Sequence, residues 1–182
     1  MKLIKYIVRS FFLLLPLFFN AQTYPFINYG VKDGISQSNV SGVVQDKNGY
    51  FWIATESGVS KFDGKNIVNY TTEDGLADNN VSCIFMDGDL IWFGHGNGSI
   101  TKYNGKEFFS VINDQLPKDE KIYDISKDKK GSLWISTATL GAICILDPKG
   151  DLFNKLNYKN YSAKEGLGQY VFSIIEDQNS NM

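Results

Sequence analysis

The 182-residue sequence contains one arginine, Arg9, and one histidine, His95. A chain so poor in guanidinium groups cannot grip carboxylate or phosphate in the bidentate manner. Nor does it have the clustered Lys/Arg surface that backbone phosphates require, so nucleic acid is not expected as a partner. With a single histidine, any Ser-His-Asp arrangement would have to use His95, which lies in the glycine-rich stretch Gly94-His95-Gly96-Asn97-Gly98 with no nucleophile motif nearby and reads as a surface turn. Motifs of the GxSxG, HExxH, P-loop and dinucleotide-binding types are absent. Adjacent carboxylates such as Glu73/Asp74 and Asp119/Glu120 sit in polar loops and read as solvated faces. The segment is therefore expected to be no enzyme and to carry no cofactor or metal. The two cysteines, Cys83 and Cys144, fall at different positions of different repeats. Cys83 aligns with Gly42, and Cys144 with Ser60 and Thr101, so both read as small buried residues rather than a disulfide, even in an exported chain. No window holds a 3.6-residue period beyond one or two turns, which excludes helices of useful length.

Long apolar runs are also scarce. The one run of nine, residues 11–19, follows the basic Lys2, Lys5 and Arg9 and precedes Ala21. That order reads as a secretory signal peptide over residues 1–21, with an uncleaved N-terminal anchor as the alternative. Removing it leaves 15 basic against 20 acidic residues, a net charge of −5. A mildly acidic exported domain fits a neutral or weakly charged ligand.

What the sequence does have is a period. Residues 40–62, VSGVVQDKNGYFWIATESGVSKF, return with variation at 81–103 and 122–146, and a fourth copy opens at Val171. The three tryptophans, Trp52, Trp92 and Trp134, hold the same place in each copy, 40 and 42 residues apart. A fixed period of this size marks a repeat architecture. Within one copy, residues 40–45, 50–55, 59–62 and 66–70 read as four short strands separated by Asn/Asp/Gly turns. Four such strands in about 40 residues make one blade of a β-propeller. The expected fold is all-β, with about three complete four-stranded blades and the start of a fourth. The repeats run at about 31–71, 72–112, 113–158 and 159–182, within a single partial domain over 22–182.

Residues 25–29 align with the outer strand at 66–70 and read as a further outer strand, and 152–158 as an extended stretch in the longer tail of the third copy. The fourth copy stops one residue before its tryptophan, so the chain reads as the front of a longer protein, with a three-blade protein as the alternative. The repeated Asp of the first hairpin, Asp46 and Asp128, reads as a turn residue capping backbone N–H groups rather than as a calcium ligand.

The pattern Gly-Ile/Leu, Val-x-x-Val/Ile-x-x-Asp-x-x-Gly-x-x-Trp-Ile-Ala/Gly-Thr, Gly-Val-x-Lys-Phe-Asp-Gly resembles the two-component regulator propeller repeat. The resemblance is closest at 34–64, clear at 75–105 and weaker at 116–147. It implies the periplasmic sensor part of a bacterial histidine kinase or hybrid system. In that family the propellers lead on to an immunoglobulin-like domain, a transmembrane helix and a kinase. The expected role is extracytoplasmic ligand sensing, with membrane attachment through a C-terminal helix and homodimerisation as partner relations. A secreted or surface module for adhesion or carbohydrate processing is the alternative.

In a four-stranded blade, the loops entering strand one and those joining strands two and three emerge at the same end, around the central channel. Those loops hold Gln37, Asn39, Asn79, Asn80, His95, Asn97 and Gln169, which are the candidate contacts to a small molecule or oligosaccharide. Asparagine before a strand is also a common turn former. The tryptophans read as packing residues between blades.

Overall fold

The computed structural model describes residues 25–111, 116, 118–148, 157–168 and 170–182. The first blade is built from β1 (Val40–Gln45), β2 (Phe51–Thr55), β3 (Gly58–Phe62) and β4 (Ile67–Tyr70). The second has β5 (Val81–Asp87), β6 (Leu90–His95), β7 (Ile100–Tyr103) and β8 (Phe108–Val111). The third has β9 (Ile122–Lys127), β10 (Leu133–Thr137), β11 (Ala142–Ile145) and β12 (Tyr158–Tyr161). Each blade is an antiparallel meander in which every strand pairs with the next in sequence. The β-branched and aromatic content of these runs suits a pleated surface covered on both sides.

Strand alternation gives each blade two unlike faces. One carries the tryptophan, and in blade 1 it comprises Val44, Trp52, Ala54 and Val59. The other carries aliphatic and Phe/Tyr side chains, and in blade 2 it comprises Ile84, Ile91, Phe93, Tyr103 and Phe108. These two faces close on one another to form one core cluster. Trp52 lies with its ring centroid 4.8 Å from Tyr103 and stacks on Tyr70 at 5.7 Å. The arrangement repeats one blade on, where Trp92 packs with Ile125, Leu133, Ile135, Ile143, Ile145 and Tyr158 of blade 3. Both tryptophans are fully buried. Trp134, on the outermost described face, is half-buried and stacks on Tyr161 at 5.2 Å.

The first hairpin of each blade shows what the repeated Asp does. Asp46 Oδ1 accepts from the Asn48 and Tyr50 backbone N–H groups, as a turn cap should. Its second oxygen accepts from the Trp52 indole at 2.9 Å. Asp128 does the same with Ser132 N and Trp134 Nε1. Burial pushes the Asp128 carboxyl up, but the bonds from Trp134 and Ser132 outweigh it and hold the group below its ordinary range. Both hairpins are three-residue loops closed by a glycine in the left-handed region, Gly49 at φ +86° and Gly131 at +95°.

Blade 2 departs from this pattern. Its loop is one residue shorter, Gly88-Asp89, with φ +62° at Gly88. Among the described residues Trp92 Nε1 is then left without a hydrogen-bond partner, as is Asp87 Oδ2. The other oxygen of Asp87 pairs instead with Lys127 Nζ of blade 3, at 2.5 Å.

Neighbouring blades are also stitched along their inner strands. Ser41 Oγ donates to Val81 O at 2.7 Å and Ser82 Oγ to Ile122 O at 2.6 Å. Three-residue 3-10 turns at Val31–Asp33, Thr72–Asp74 and Ala163–Glu165 precede the blades, each stopped by a glycine in the left-handed region. Beyond them Ile35, Leu76 and Leu116 are buried as plugs, whereas Leu167 is exposed.

Four expectations need correction. Residues 25–30 lie in no strand, and Phe26 is 96% exposed; only Tyr29 docks, against Phe62 at 4.7 Å. The outer strand of blade 3 is Tyr158–Tyr161, so the third repeat runs past 158; of the extended stretch 152–158, residues 152–156 lie outside the described residues. Its place follows from Asn160-Tyr161-Ser162 matching Asn69-Tyr70-Thr71 before the 3-10 turn. Cys144 pairs with Trp134, as Lys61 pairs with Trp52, so its equivalents are Lys61 and Lys102; Ile143 holds the Ser60/Thr101 position. Residues 171–176 lie beside the inner edge of blade 3 without forming a strand. They are held by Ser136 Oγ to Phe172 O and by Ser173 Oγ to Asp124 Oδ2. Cys83 and Cys144 are both buried and free, as expected. The signal segment, residues 1–21, lies outside the described residues.

The turn between strands two and three tolerates no side chain at its glycine. Gly58 sits at φ +113°, and a Cβ there would fall 2.3 Å from Tyr70 O. Gly64 has φ +94° but open space around it. Gly64→Ala should therefore cost only the left-handed penalty, about 1–2 kcal/mol, whereas Gly58→Ala should cost more than that and broaden the unfolding transition. Urea denaturation of the two variants compares them directly.

Candidate functional site

The entry loops and the strand two–three turns come together at one end of the blades, as the topology requires. Gly58 N donates to Asn79 O, Gly96 N to Asn80 O, Asp119 N to Asn97 O and Ala138 N to Lys121 O, all between 2.7 and 3.1 Å. Entry loop and turn are thereby locked into one surface.

Most of the candidate amides work first as turn formers. Gln37 Oε1 accepts from Asn39 N, Asn79 Oδ1 from Thr72 N, and Asn97 Oδ1 from both N and Oγ of Ser99. Asn39 Nδ2 donates to Glu56 Oε1 at 2.6 Å. Asn80 is exposed, with its amide against Gly96, where a Cβ would fall 2.5 Å from it. In blade 3 the corresponding link is made by Glu120, whose carboxylate accepts from Thr139 N and Oγ1. Gln169 lies outside the described residues. With their oxygens held, the Nδ2 groups of Asn79 and Asn97 are fixed in direction and have no partner among the described residues.

His95 does not belong to this accessible set. It is the last residue of β6, fully buried, with Nε2 2.8 Å from Thr101 Oγ1 and Nδ1 without a partner among the described residues. The register explains why: Val81 pairs with His95 as Val40 does with Thr55 and Ile122 with Thr137. Those threonines fold their hydroxyls onto the turn carbonyls of Gly58 and Gly141, each at 2.9 Å. His95 therefore occupies a threonine position, and counting three residues from each tryptophan identifies it. Burial lowers its pKa to about 4.

Clefts of about 400 and 260 Å³ are present among the described residues. The larger lies between Trp134, Ala142 and Tyr161 of blade 3 and residues Val171, Ile174 and Ile175. Its walls correspond to those that close on each other between blades 1 and 2. The smaller lies at the opposite end from the candidate loops. No group of three or more His, Cys, Asp or Glu side chains placed to hold a metal ion occurs among the described residues.

These features define a β-propeller blade array with one loop-built end. Residues 34–57 and 116–139 match the family model described as the two component regulator propeller. The chain thus carries two-component regulator propeller repeats in its first and third copies. The third copy matches despite the drift of its sequence. The second copy, whose resemblance to the repeat is clearer in sequence, is the one whose Asp-x-x-Gly hairpin has lost a residue.

Among solved structures, the chain is similar to the extracellular domain of the hybrid two component system BT4673 from B. thetaiotaomicron. The identity is 20%, the TM-score 0.68, and the match covers 91% of this chain and 21% of that one. A second structure of the BT4673 extracellular domain, there described as a one component system, gives 18% identity and a TM-score of 0.65 over 87% of this chain and 20% of that one. Streptogramin B lyase aligns at 18% identity and TM-score 0.52, covering 71% of this chain and 42% of the lyase. The chain spans about a fifth of the length of the BT4673 domain. At these identities the likeness is one of fold. No curated protein matches the chain in sequence.

The buried imidazole sets a pH dependence. In the unfolded chain His95 takes a proton near pH 6.5, and in the folded chain only near pH 4. Between those values the unfolded state binds the extra proton, so stability falls as pH drops through this window and levels off below it. The loss should be on the order of 2–3 kcal/mol by pH 4.5. His95→Gln should flatten this part of the profile, which urea midpoints at pH 7.5 and 4.5 for both proteins would show.

Proposed function

We propose that this chain is part of the extracytoplasmic ligand-sensing propeller of a two-component signalling protein, a histidine kinase or hybrid system. It would bind a small molecule or glycan fragment at the loop-built end. The observation that carries this reading is the presence of two-component regulator propeller repeats in a blade array. The likeness in fold to an extracellular domain of such a system supports it. Binding rather than catalysis is supported by the burial of the only histidine and by amides whose oxygens are locked while their N–H groups have no partner among the described residues. Ligand contact across neighbouring entry loops would bias blade packing between two arrangements, and a membrane element coupled to it would follow. Dimerisation in response to ligand belongs to the same reading.

Reading the gene beyond codon 182 tests the signalling part. A span of about 20 apolar residues followed by a kinase core with its phospho-accepting histidine supports it. A frame that runs instead into a surface-anchoring tail replaces it with a secreted module.

The binding part has its own test. Asn79→Asp and Asn97→Asp keep the turn-forming oxygen and remove the free N–H donor. Each should weaken an oligosaccharide or small-molecule ligand found by thermal-shift screening about tenfold, the equivalent of one good hydrogen bond. Their melting temperatures without ligand should stay unchanged, and an affinity unchanged from that of the parent chain in both variants would remove the loop end from consideration.

A further inference from the structure

The cleft of about 260 Å³ lies where the repeat is broken. One wall is the three-residue hairpin of blade 1, Asp46, Lys47 and Asn48. The facing hairpin of blade 2 is one residue shorter and lines the cleft with Gly88 and Asp89. The turn after β7, Asn104-Gly105-Lys106, forms the third side, and Met86, Ile91 and Tyr103 form an apolar floor.

The walls are chemically balanced. Two ammonium groups, Lys47 and Lys106, face two carboxylates, Asp46 and Asp89. Lys47 Nζ and Asp89 Oδ1 meet at 2.7 Å at the rim, where both are mostly exposed. Asp46 is committed to its turn and to the Trp52 indole. Asn104 gives its oxygen to the N–H groups of Lys106 and Glu107, which fixes the direction of its amide donor. At the floor, Tyr103 is only 9% exposed. Burial raises its phenol pKa, so its hydroxyl stays neutral and can both donate and accept.

We infer that this cleft is a second binding site, separate from the loop end, for a neutral polyhydroxylated molecule the size of one sugar ring. Zero net charge on the walls disfavours an ion. Donors from Asn104 and Lys106, with Asp89 and the Tyr103 hydroxyl able to accept, match a ring of hydroxyls. The apolar floor fits the C–H face of a pyranose, as aromatic and aliphatic side chains do elsewhere. The volume falls just short of the about 300–1,000 Å³ range of drug-sized sites, so one ring fits and an extended glycan does not. The sequence carries the signal for this site in the single residue missing between Asp87 and Trp92.

Titration of the isotope-labelled chain with neutral hexoses and pentoses, with a uronic acid and an amino sugar as charged controls, tests the inference by amide chemical shifts. A neutral sugar should shift Met86, Tyr103 and Lys106, and Asp89→Asn and Lys106→Ala should each weaken it about tenfold. Replacing Gly88-Asp89 with the Lys-Asn-Gly of residues 47–49 should rebuild the longer hairpin, fill the cleft and abolish binding. Asn79→Asp and Asn97→Asp should leave this binding untouched, so the two sites fail or stand separately. If the graft does not fold, the two point variants decide, since both residues are exposed. No response to any neutral sugar, a response to the charged sugars alone, or binding unchanged in Asp89→Asn and Lys106→Ala overturns the inference.

Discussion

The closing of one blade's tryptophan face on the next blade's aliphatic face is the contact on which this structure depends. A sheet of four strands, each four to seven residues long, has two apolar faces and cannot bury either by itself. Only a neighbour of the opposite kind can do so. Trp52 and Trp92 show the result, each fully buried under Phe/Tyr or Ile/Leu side chains of the following blade. Trp134, under a segment that forms no sheet, remains half-buried. The same residue type at the same repeat position thus differs in exposure solely through what lies over it.

Much of this was legible in the sequence because a blade is a local object. The tryptophan spacing located three sheets, and the Asn/Asp/Gly turns located their hairpins to within a residue or so. Asn79 and Asn97 proved to be the turn formers their residue type suggests. What escaped was register inside a copy. His95 looked like a turn residue because it is flanked by glycines, yet pairing with Val81 makes it the equivalent of Thr55 and Thr137 and buries it. Cys144 sits one position past its apparent match to Thr101, and its pairing with Trp134, like that of Lys102 with Trp92, settles its place. Residues 25–29 match an outer strand in sequence, but strand structure needs a partner edge, and among the described residues they have none. The 3-10 turns were invisible to a search for apolar periodicity, since three residues held by caps carry no period.

The second copy is where the repeat and its geometry part company. Losing one residue from a hairpin would be trivial in an ordinary loop. Here it separates a carboxylate from the indole it serves in the other blades, leaves both with unmet hydrogen-bonding capacity, and turns Asp87 toward Lys127. An interblade ion pair takes over from an intrablade hydrogen bond. The cleft beside Asp46 and Tyr103 lies at the same hairpin. A departure from local consistency that adds no stability is the kind of place where a binding role is expected.

The serine links between inner strands have a kinetic consequence. Ser41 reaches Val81 and Ser82 reaches Ile122, so each join spans 40 residues, one repeat, and no more. Sheet pairing within a blade is shorter still. Contacts therefore stay close to the diagonal of the chain, and ordering of one blade prepares the template for the next, as in one-dimensional arrays whose stability is a sum of units and nearest-neighbour joins. Such a chain can acquire structure in the direction of its synthesis, with each tryptophan face waiting only for the forty residues that follow it.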